Sequence, residues 1–458
     1  MAGYVLLSVV LMSLAAYFVG RSAGNAFTRS ASNVHSLPIY HGAFVAVWVG
    51  IPALILVLLW LMLQGSVIDR VILSSLPSSI TDAADAPRLS LYLSEIKNLA
   101  AGRAFGEAVP EITEAAGRYA RWQRIADWSM LVVAMAVMLV GLVVARTRLA
   151  PRFRARNGVE KVLTGVMLAC AVAAIVTTIG IIASLLFESL RFFTLVPPHE
   201  FFFGLRWEPQ IPLRADQIAG AGAFGAVPVF WGTFVIAVTA MIVATPIGLF
   251  TAIYLVEYAD DRIRKVVKPI LEILAGIPTV VYGFFAVLTV APAVRQAGLF
   301  MGLATSPNSV LAAGGVMGIM IIPFISSISD DALKAVPRAM RDGSLAMGAT
   351  RAETMKKVML PAALPGIMGG ILLGFSRAIG ETMIVVMAAG LIATMTLNPL
   401  NGVTTVTVQI VTLLIGDTEF DSPKTLAAFA LGLVLFVVTL CLNVVALRTV
   451  RKYREKYE

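Results

Sequence analysis

Residues 329–361 read SDDALKAVPRAMRDGSLAMGATRAETMKKVMLP, a polar stretch that joins two long apolar runs. The pattern predicts two short helices that meet at Gly348, because glycine readily adopts the backbone conformation that ends a helix. The Ser-Asp-Asp sequence at 329–331 is expected to cap the first helix. Thr350 is expected to start the second helix as a capping box, since Glu353 follows three residues later. The sequence therefore predicts a helical loop between two membrane spans.

Four apolar side chains recur along the first part of this loop, where most neighbours are polar. They are Leu333, Val336, Met340 and Leu345. An exposed apolar stripe is typical of a surface that binds another protein. We therefore expect a docking surface here.

The rest of the chain also alternates apolar runs with polar connections. It is 58% hydrophobic and only 14% charged, whereas an ordinary soluble chain has about 25% charged residues, so a water-soluble globule is excluded. A helix needs about 20 apolar residues to cross the hydrocarbon core. Nine runs are long enough, at 3–20, 43–63, 128–145, 162–187, 227–256, 270–291, 309–327, 364–391 and 425–447. The sequence predicts an all-α polytopic membrane protein with about nine transmembrane helices.

The 36 basic residues are scattered among the connections, which disfavours nucleic acid as a partner and favours membrane lipid. Cytoplasmic connections of membrane proteins carry an excess of Lys and Arg. With the N-terminus placed outside, the inside segments hold 23 basic residues and the outside segments hold 12. We therefore expect the N-terminus outside and the C-terminus inside.

The most basic connection divides the chain into an N-terminal part with three spans and a C-terminal part with six. Residues 147–161 are predicted to form this cytoplasmic linker. Residues 1–146 then make an N-terminal extension, whose polar insertion at 65–127 is expected to form a small helical cap outside the membrane. Residues 162–447 make the six-helix core, and 448–458 form a basic cytoplasmic tail.

Span eight carries two charged residues near mid-membrane, within Gly-Phe-Ser-Arg-Ala-Ile-Gly-Glu-Thr-Met at 374–383. Arg377 and Glu381 are four residues apart, so one continuous helix would place their side chains on the same face. Each charge costs about 2.5–3.5 kcal/mol at the bilayer centre, and pairing reduces that cost. A guanidinium also binds oxyanions through two donors at once. A salt bridge that fixes helix packing and a path for anions are both open interpretations.

Span six is interrupted by residues that disfavour a regular helix. Gly276, Pro278 and Gly283 fall within it, and Thr279 and Tyr282 lie beside them. Membrane helices tolerate such breaks where the freed backbone groups meet protein or water, and broken helices often line a translocation route. These five residues are possible pore-lining positions, and a kink that serves packing alone is an equally good interpretation.

The loop at 329–361 resembles the coupling loop of ABC importer permeases, whose pattern is Glu-Ala-Ala, a later glycine and a hydrophobic-x-Leu-Pro ending. Asp342, Gly343 and Ser344 take the place of Glu-Ala-Ala, Gly348 is the glycine, and Leu360 and Pro361 complete the ending. The resemblance implies that this loop sits in a cleft of an ATPase subunit and carries its motion to the membrane. It also implies a six-helix type I importer core.

Span eight resembles the Arg-Ala-hydrophobic-Gly-Glu-Thr-Met element of the permeases of phosphate-specific ABC importers, the PstC type. Further stretches agree in the same order, at 203–209, 246–254 and 274–285. The resemblance implies that Arg377, Glu381 and Thr382 lie on the path of phosphate. The three-span part, residues 1–146, falls outside it.

The resemblance also implies the other subunits of a transporter in the bacterial inner membrane. They are a second permease of the PstA type, two ATP-binding subunits of the PstB type and a periplasmic phosphate-binding protein of the PstS type. A P-loop requires Gly-Lys followed by Ser or Thr, and none of the ten lysines follows a glycine. We therefore expect no cofactor, metal site or catalytic residue in this chain, with ATP and Mg²⁺ used by partner subunits.

Three other functions are consistent with parts of the sequence. An ABC permease for sulfate, molybdate or phosphonate would share the loop and the charged span. An ion-coupled secondary transporter would use Arg377 and Glu381 as a proton relay, but it has no need of an ATPase-docking loop. A sensor would report phosphate to a regulator without carrying it. ATP-driven phosphate import is the expected function.

Overall fold

The computed structural model describes residues 1–30, 34–76, 86–103, 110–210, 222–415 and 421–454. Helices account for most of them. The contacts within the chain divide it into two compact units, Met1–Val176 and Thr177–Glu458. The boundary falls within one long helix, Ala155–Leu195, which begins inside the stretch that the sequence predicts as a linker.

The N-terminal unit is built mainly from long helices that pack against one another at small residues. Its helices are α1 (Ala2–Ser30), α2 (Pro38–Ser74), α3 (Ala86–Ala100), α4 (Pro110–Thr147) and the first half of α5 (Ala155–Leu195). A side chain at Gly20 would lie 2.7 Å from the carbonyl oxygen of His41, and one at Gly141 would lie 2.6 Å from that of Trp48. These glycines therefore allow the close helix approach that is typical of membrane bundles.

The C-terminal unit contains the remaining helices and one short hairpin. Its elements are α6 (Pro198–Phe203), β1 (Trp207–Glu208), β2 (Ala223–Phe224), α7 (Val227–Ile253), α8 (Asp261–Ala275), α9 (Thr279–Phe285), α10 (Ala291–Phe300), α11 (Val310–Ala335), α12 (Arg338–Ala346), α13 (Arg351–Thr354), α14 (Leu360–Ile379), α15 (Met383–Ala388), α16 (Val406–Leu414) and α17 (Pro423–Arg454). The two strands pair antiparallel, with Trp207 opposite Phe224. Single π-helical turns follow α7, α9 and α13, at Tyr254–Tyr258, Ala286–Val290 and Met355–Met359.

The described part of the chain holds nine helices that are long and apolar enough to cross a membrane, which confirms the predicted number. They are Ala2–Arg29, Pro38–Ser74, Pro110–Thr147, Ala155–Leu195, Val227–Tyr258, Thr279–Phe300, Val310–Ala335, Arg351–Ile379 and Pro423–Thr449. Among these nine, α11 is the most buried. It packs against α7 and α14 and forms the centre of the C-terminal unit.

Most predicted spans have different limits in the structure, and in spans six and eight the difference is a break in the helix. Span six starts at Thr279, nine residues later than expected, because α8 is a separate helix that carries four basic and two acidic side chains. The sequence Gly-Ile-Pro at 276–278 then interrupts the backbone, since a residue before proline disfavours the helical conformation. Span eight ends at Ile379, where the helix breaks before the shorter α15.

The expected cap at 329–331 is wrong. α11 continues through these residues to Ala335, and Ser329 and Asp330 are buried inside it. The first helix of the loop instead begins at Arg338, directly after Pro337. Proline has no N–H to donate and suits the start of a helix. Pro337 was therefore the correct indication of the helix start, and the Ser-Asp-Asp sequence was not.

The second half of the loop agrees with its prediction. Gly348 has a φ of +88°, the left-handed conformation that ends a helix at glycine. Thr350 accepts from the backbone N–H of Glu353 at 3.3 Å, and its own N–H donates to the Glu353 carboxylate at 3.0 Å. The predicted capping box is therefore confirmed.

Candidate functional site

A cavity of about 280 Å³ lies among α8, α11 and α14. Apolar side chains form much of its wall, and the polar members are Lys268, Glu272, Ser326, Ser327, Asp330 and Arg377. We call this space the charged cavity. It contains Arg377, which the sequence singled out, and adds Lys268 and Asp330, which it did not assign to a site.

Arg377 lies on the third helix of the cavity, far from the coupling loop. Seventeen residues separate it from Leu360, the start of α14, which is about 26 Å along a helix. Its guanidinium lies over the ring of Phe324 at 6.0 Å from the centroid, a cation–π contact that holds the side chain at the cavity wall. No carboxylate lies within 4.0 Å of it in the described residues. Its donors are therefore free for an anion.

Glu381 does not pair with Arg377, contrary to the expectation of one continuous helix. α14 ends at Ile379, and Glu381 lies in the break that follows. Its carboxylate accepts from the backbone N–H of Met383 at 3.0 Å and of Ile384 at 3.3 Å. The first N–H groups of a helix lack partners and attract negative charge. Glu381 thus caps α15, and this local interaction replaces the predicted pair.

Thr382 occupies the first position before α15, half-buried and with its side chain making no cap. The carbonyl oxygen of Glu381 accepts from the Thr407 hydroxyl at 2.8 Å. One more hydrogen bond lies beside this contact. The N–H of Val406 donates to the Thr233 hydroxyl at 3.0 Å, which joins α16 to α7. The break at 380–382 is therefore held by a hydrogen bond from α16, which is itself bonded to α7.

Gln409 is a further buried polar residue near this break. Its amide donates to the carbonyl of Leu391 at 3.1 Å and accepts from the indole N–H of Trp207 at 2.8 Å. These bonds connect α16 to the hairpin strand β1 and to the segment after α15. The hydrogen bonds of Thr233, Thr407 and Gln409 could not be predicted from the sequence, because their partners are far apart in the chain and meet only in the folded structure.

Asp330 is the most buried charged group of the cavity, with 5% of its side chain exposed. Arg264 lies 3.1 Å and Lys268 lies 3.3 Å from its carboxylate, and Lys334 forms a third ion pair with it. Removing a carboxylate from water is costly unless partners surround it. An ionisable residue within a membrane helix indicates a functional site by default. The sequence would have pointed to Asp330 in this way if span seven had been predicted to continue to Ala335.

The five possible pore-lining residues of span six lie in different surroundings. Tyr282 is buried and donates from its hydroxyl to the carbonyl of Leu274 at 2.8 Å. Gly283 is also buried, and a side chain there would lie 2.6 Å from the sulfur of Met387. Gly276 and Pro278 are exposed, and Thr279 is half-buried. None of the five lies in the wall of the charged cavity, although the preceding helix α8 does.

Two polar contacts hold the coupling loop, one to a transmembrane helix and one within the loop. Arg341 of α12 donates to the carboxylate of Glu257 at 2.9 Å, and the Glu257 side chain is 2% exposed. The hydroxyls of Ser344 and Thr354 lie 2.9 Å apart, which links the two helices of the loop. Asp342 and Gly343 are exposed on the opposite part of α12. One face of α12 therefore contacts the transmembrane helices through Arg341, and the face that carries Asp342 and Gly343 is exposed.

Only part of the expected apolar stripe is exposed. Leu333 and Val336 are buried against Met355 and Met359 beneath the loop, so the prediction of a docking surface is wrong for these two residues. Their burial follows from the extension of α11, which places them on the inner face of the bundle. Met340 remains 37% exposed.

Two families match separate parts of the chain. Residues 6–177 match the family described as phosphate ATP-binding cassette transporter. Residues 244–455 match the family described as binding-protein-dependent transport system inner membrane component. The N-terminal spans, which lie outside the resemblance seen in the sequence, therefore have a family match of their own.

Individual proteins and structures are similar to about three fifths of the chain. A bacterial alginate ABC transporter, solved with a periplasmic protein bound to an alginate pentasaccharide, aligns with a TM-score of 0.45 and 15% identity over 65% of this chain and 97% of that one. The phosphate transport system permease protein PstC 1 of Mycobacterium tuberculosis is 32% identical, over 55% of this chain and 81% of that protein. The probable ABC transporter permease YqgH of Bacillus subtilis is 35% identical, over 60% of this chain and 85% of that protein. At this identity and coverage of the curated relatives, the chain belongs to the ABC transporter permeases of the PstC type.

Proposed function

We propose that this chain is the permease subunit of an ATP-driven importer that carries inorganic phosphate across the bacterial cytoplasmic membrane. The observation that carries the proposal is the guanidinium of Arg377 at the wall of the charged cavity, which has no carboxylate partner among the described residues. A planar guanidinium can donate to two oxygens of one phosphate ion. Several relatives of this chain are named phosphate transport system permeases, and this supports phosphate as the oxyanion.

The charges around the cavity favour an anion. Positive side chains in or against it are Arg264, Lys268, Lys334 and Arg377, and the negative ones are Glu272 and Asp330. Four positive groups against two negative groups leave two positive charges in excess. A low-dielectric wall strengthens such an attraction, so the cavity lowers the electrostatic barrier for a phosphate dianion.

The same arrangement keeps the anion from binding too tightly. Asp330 already engages Arg264, Lys268 and Lys334, so a passing phosphate competes with a carboxylate for these cations. Transport requires binding that is favourable enough for entry and weak enough for exit. We assign Arg377 the first contact with phosphate and the Asp330 cluster its release. Glu381 and Thr382 form the helix break that ends the path beyond Arg377.

The coupling loop is proposed as the site where ATPase motion enters the chain. Asp342, Gly343 and Ser344, the turn at Gly348, and the Leu-Pro pair at 360–361 form the surface that an ATP-binding subunit contacts. The chain lies in the membrane with its N-terminus outside and this loop inside, as the distribution of basic residues indicates. Two PstB-type subunits hydrolyse ATP with Mg²⁺, a PstA-type permease completes the path, and a PstS-type protein delivers phosphate.

The experiment is uptake of labelled phosphate by proteoliposomes that contain this chain with its candidate partners. We expect uptake that requires ATP and the binding protein, with phosphate competing far better than sulfate, molybdate or phosphonate. Uptake driven by a pH gradient without ATP would contradict the proposal and favour a secondary transporter. Stronger competition by another oxyanion would retain the ATP-driven permease and replace phosphate as its substrate.

A further inference from the structure

An apolar groove runs along the N-terminal unit between α2 and α4. Its volume is about 820 Å³, and Leu59, Leu63, Val67 and Ile125 are among the residues that line it. The three α2 side chains are each more than half exposed. Both helices are candidate membrane spans, so the walls of the groove are suited to a lipid acyl chain and not to water.

A second recess continues from this groove. It has a volume of about 660 Å³ and shares Ile125 and Ser129 with the groove. Arg121 and Arg124 line it, three residues apart on α4 and both exposed. Neither guanidinium has a carboxylate within 4.0 Å in the described part of the chain. Two guanidinium groups on adjacent positions of one helix face match a phosphate group in charge and in donor geometry.

Tryptophan side chains border both spaces. Trp60 and Trp122 line the groove, and Trp128 lines the recess, so three of the six tryptophans of the chain lie here. Tryptophan is enriched at the depth of the lipid headgroups, because its ring is apolar and its N–H is polar. The rings therefore indicate that the junction of the groove and the recess lies at headgroup level, with the rest of the groove extending toward the acyl chains.

We propose that the groove and the recess together bind one anionic phospholipid, with an acyl chain against α2 and its phosphate between Arg121 and Arg124. On the proposed orientation of the chain, this lipid belongs to the outer leaflet. An inorganic phosphate ion would satisfy the arginines but leave the apolar groove uncovered, so the shape selects a lipid. The site lies wholly in the N-terminal unit and does not depend on the transport function.

The test uses the full chain in detergent and native mass spectrometry with three probes: phosphatidylglycerol, phosphatidylcholine and inorganic phosphate. We expect one phosphatidylglycerol per chain, bound at least about tenfold more tightly than phosphatidylcholine, because the two arginines attract its net negative charge, which zwitterionic phosphatidylcholine lacks. Arg121→Gln combined with Arg124→Gln should abolish that preference. Arg146→Gln combined with Arg152→Gln removes the same charge from exposed positions elsewhere and should preserve it.

A second pair of variants tests the groove without changing any charge. Leu59→Trp fills the groove, whereas Leu58→Trp alters a neighbour outside it that is equally exposed, 54% against 53%. We expect the first to weaken phosphatidylglycerol binding and the second to leave it unchanged. Equal affinity for the two lipids, equal losses in both members of either pair, or displacement of the lipid by inorganic phosphate would each overturn the proposal.

Discussion

The guanidinium of Arg341 lies 2.9 Å from the carboxylate of Glu257, and this ion pair connects the coupling loop to the π-helical turn that ends span five. Leu255, two residues before Glu257, lines the charged cavity. π-Helical turns occur often at functional sites. The pair therefore provides a short physical connection from the surface proposed to contact an ATPase to the wall of the proposed phosphate path.

The first prediction concerns this ion pair. Arg341→Met leaves the buried Glu257 carboxylate without its partner, a loss on the order of 2–5 kcal/mol, and should lower the phosphate carried per ATP hydrolysed. ATP hydrolysis by the complex should continue. The measurement is the ratio of phosphate uptake to ATP hydrolysis in proteoliposomes.

A double-mutant cycle separates the ion pair from independent effects. Glu257→Gln and Arg341→Met are compared alone and together, because residues that act as a pair show non-additive changes. We expect the double variant to be no worse than the more affected single variant. Strictly additive losses would mean that the two side chains contribute separately.

The second prediction concerns the turn at Gly348, whose φ is +88°. Gly348→Val forces a β-branched residue into the left-handed region, at about 1–3 kcal/mol of strain, and should reduce coupling between hydrolysis and uptake. Gly348→Asn should be better tolerated, because asparagine adopts this conformation more readily. Both variants add a side chain at the same place, where no atom lies within 4 Å of an added Cβ. Equal effects of the two would point to contact with the ATPase and not to the turn.

The third prediction concerns Lys268, which lines the charged cavity and pairs with Asp330. Lys268→Met removes a positive charge from the proposed path. At an effective dielectric near 20, one charge a few ångströms away contributes up to about 4 kcal/mol, so we expect phosphate uptake to fall by on the order of tenfold. Lys265→Met, on the same helix but outside the cavity, is the control. A similar fall in both variants would remove Lys268 from the path.

The fourth prediction follows from the cap that Glu381 forms on α15. Glu381→Gln keeps an oxygen that accepts from the N–H groups of Met383 and Ile384, so its uptake should remain close to that of the unmodified chain. Glu381→Ala loses the cap, at roughly 0.5–2 kcal/mol, and should lower thermal stability. A severe transport loss in Glu381→Gln with unchanged stability would show that the carboxylate charge itself acts on the path.

The membrane spans and the second half of the coupling loop could be predicted from the sequence, because both depend on local patterns. Apolar runs of sufficient length identify helices that cross a bilayer, and the nine candidate spans follow from them. The capping box at Thr350 requires only Glu353 three residues later. In each case the interacting groups are close in the chain.

The details of the site could not be predicted, because they depend on helix ends and on distant residues. The pairing of Arg377 with Glu381 assumed one unbroken helix, whereas the break at 380–382 turns Glu381 toward the N–H groups of α15. The partners of Asp330 come partly from α8, more than 60 residues away. The spacing of residues in the sequence does not predict contacts of this kind.

The most direct test of the account is phosphate uptake by the reconstituted complex with Arg377 replaced. Arg377→Gln should reduce ATP-dependent uptake to the level of liposomes without ATP, while the complex still assembles and hydrolyses ATP. Arg377→Lys should retain part of the uptake, because lysine keeps the charge but not the two-donor geometry. Uptake by Arg377→Gln at the rate of the unmodified chain would contradict the assignment of this guanidinium to the phosphate path.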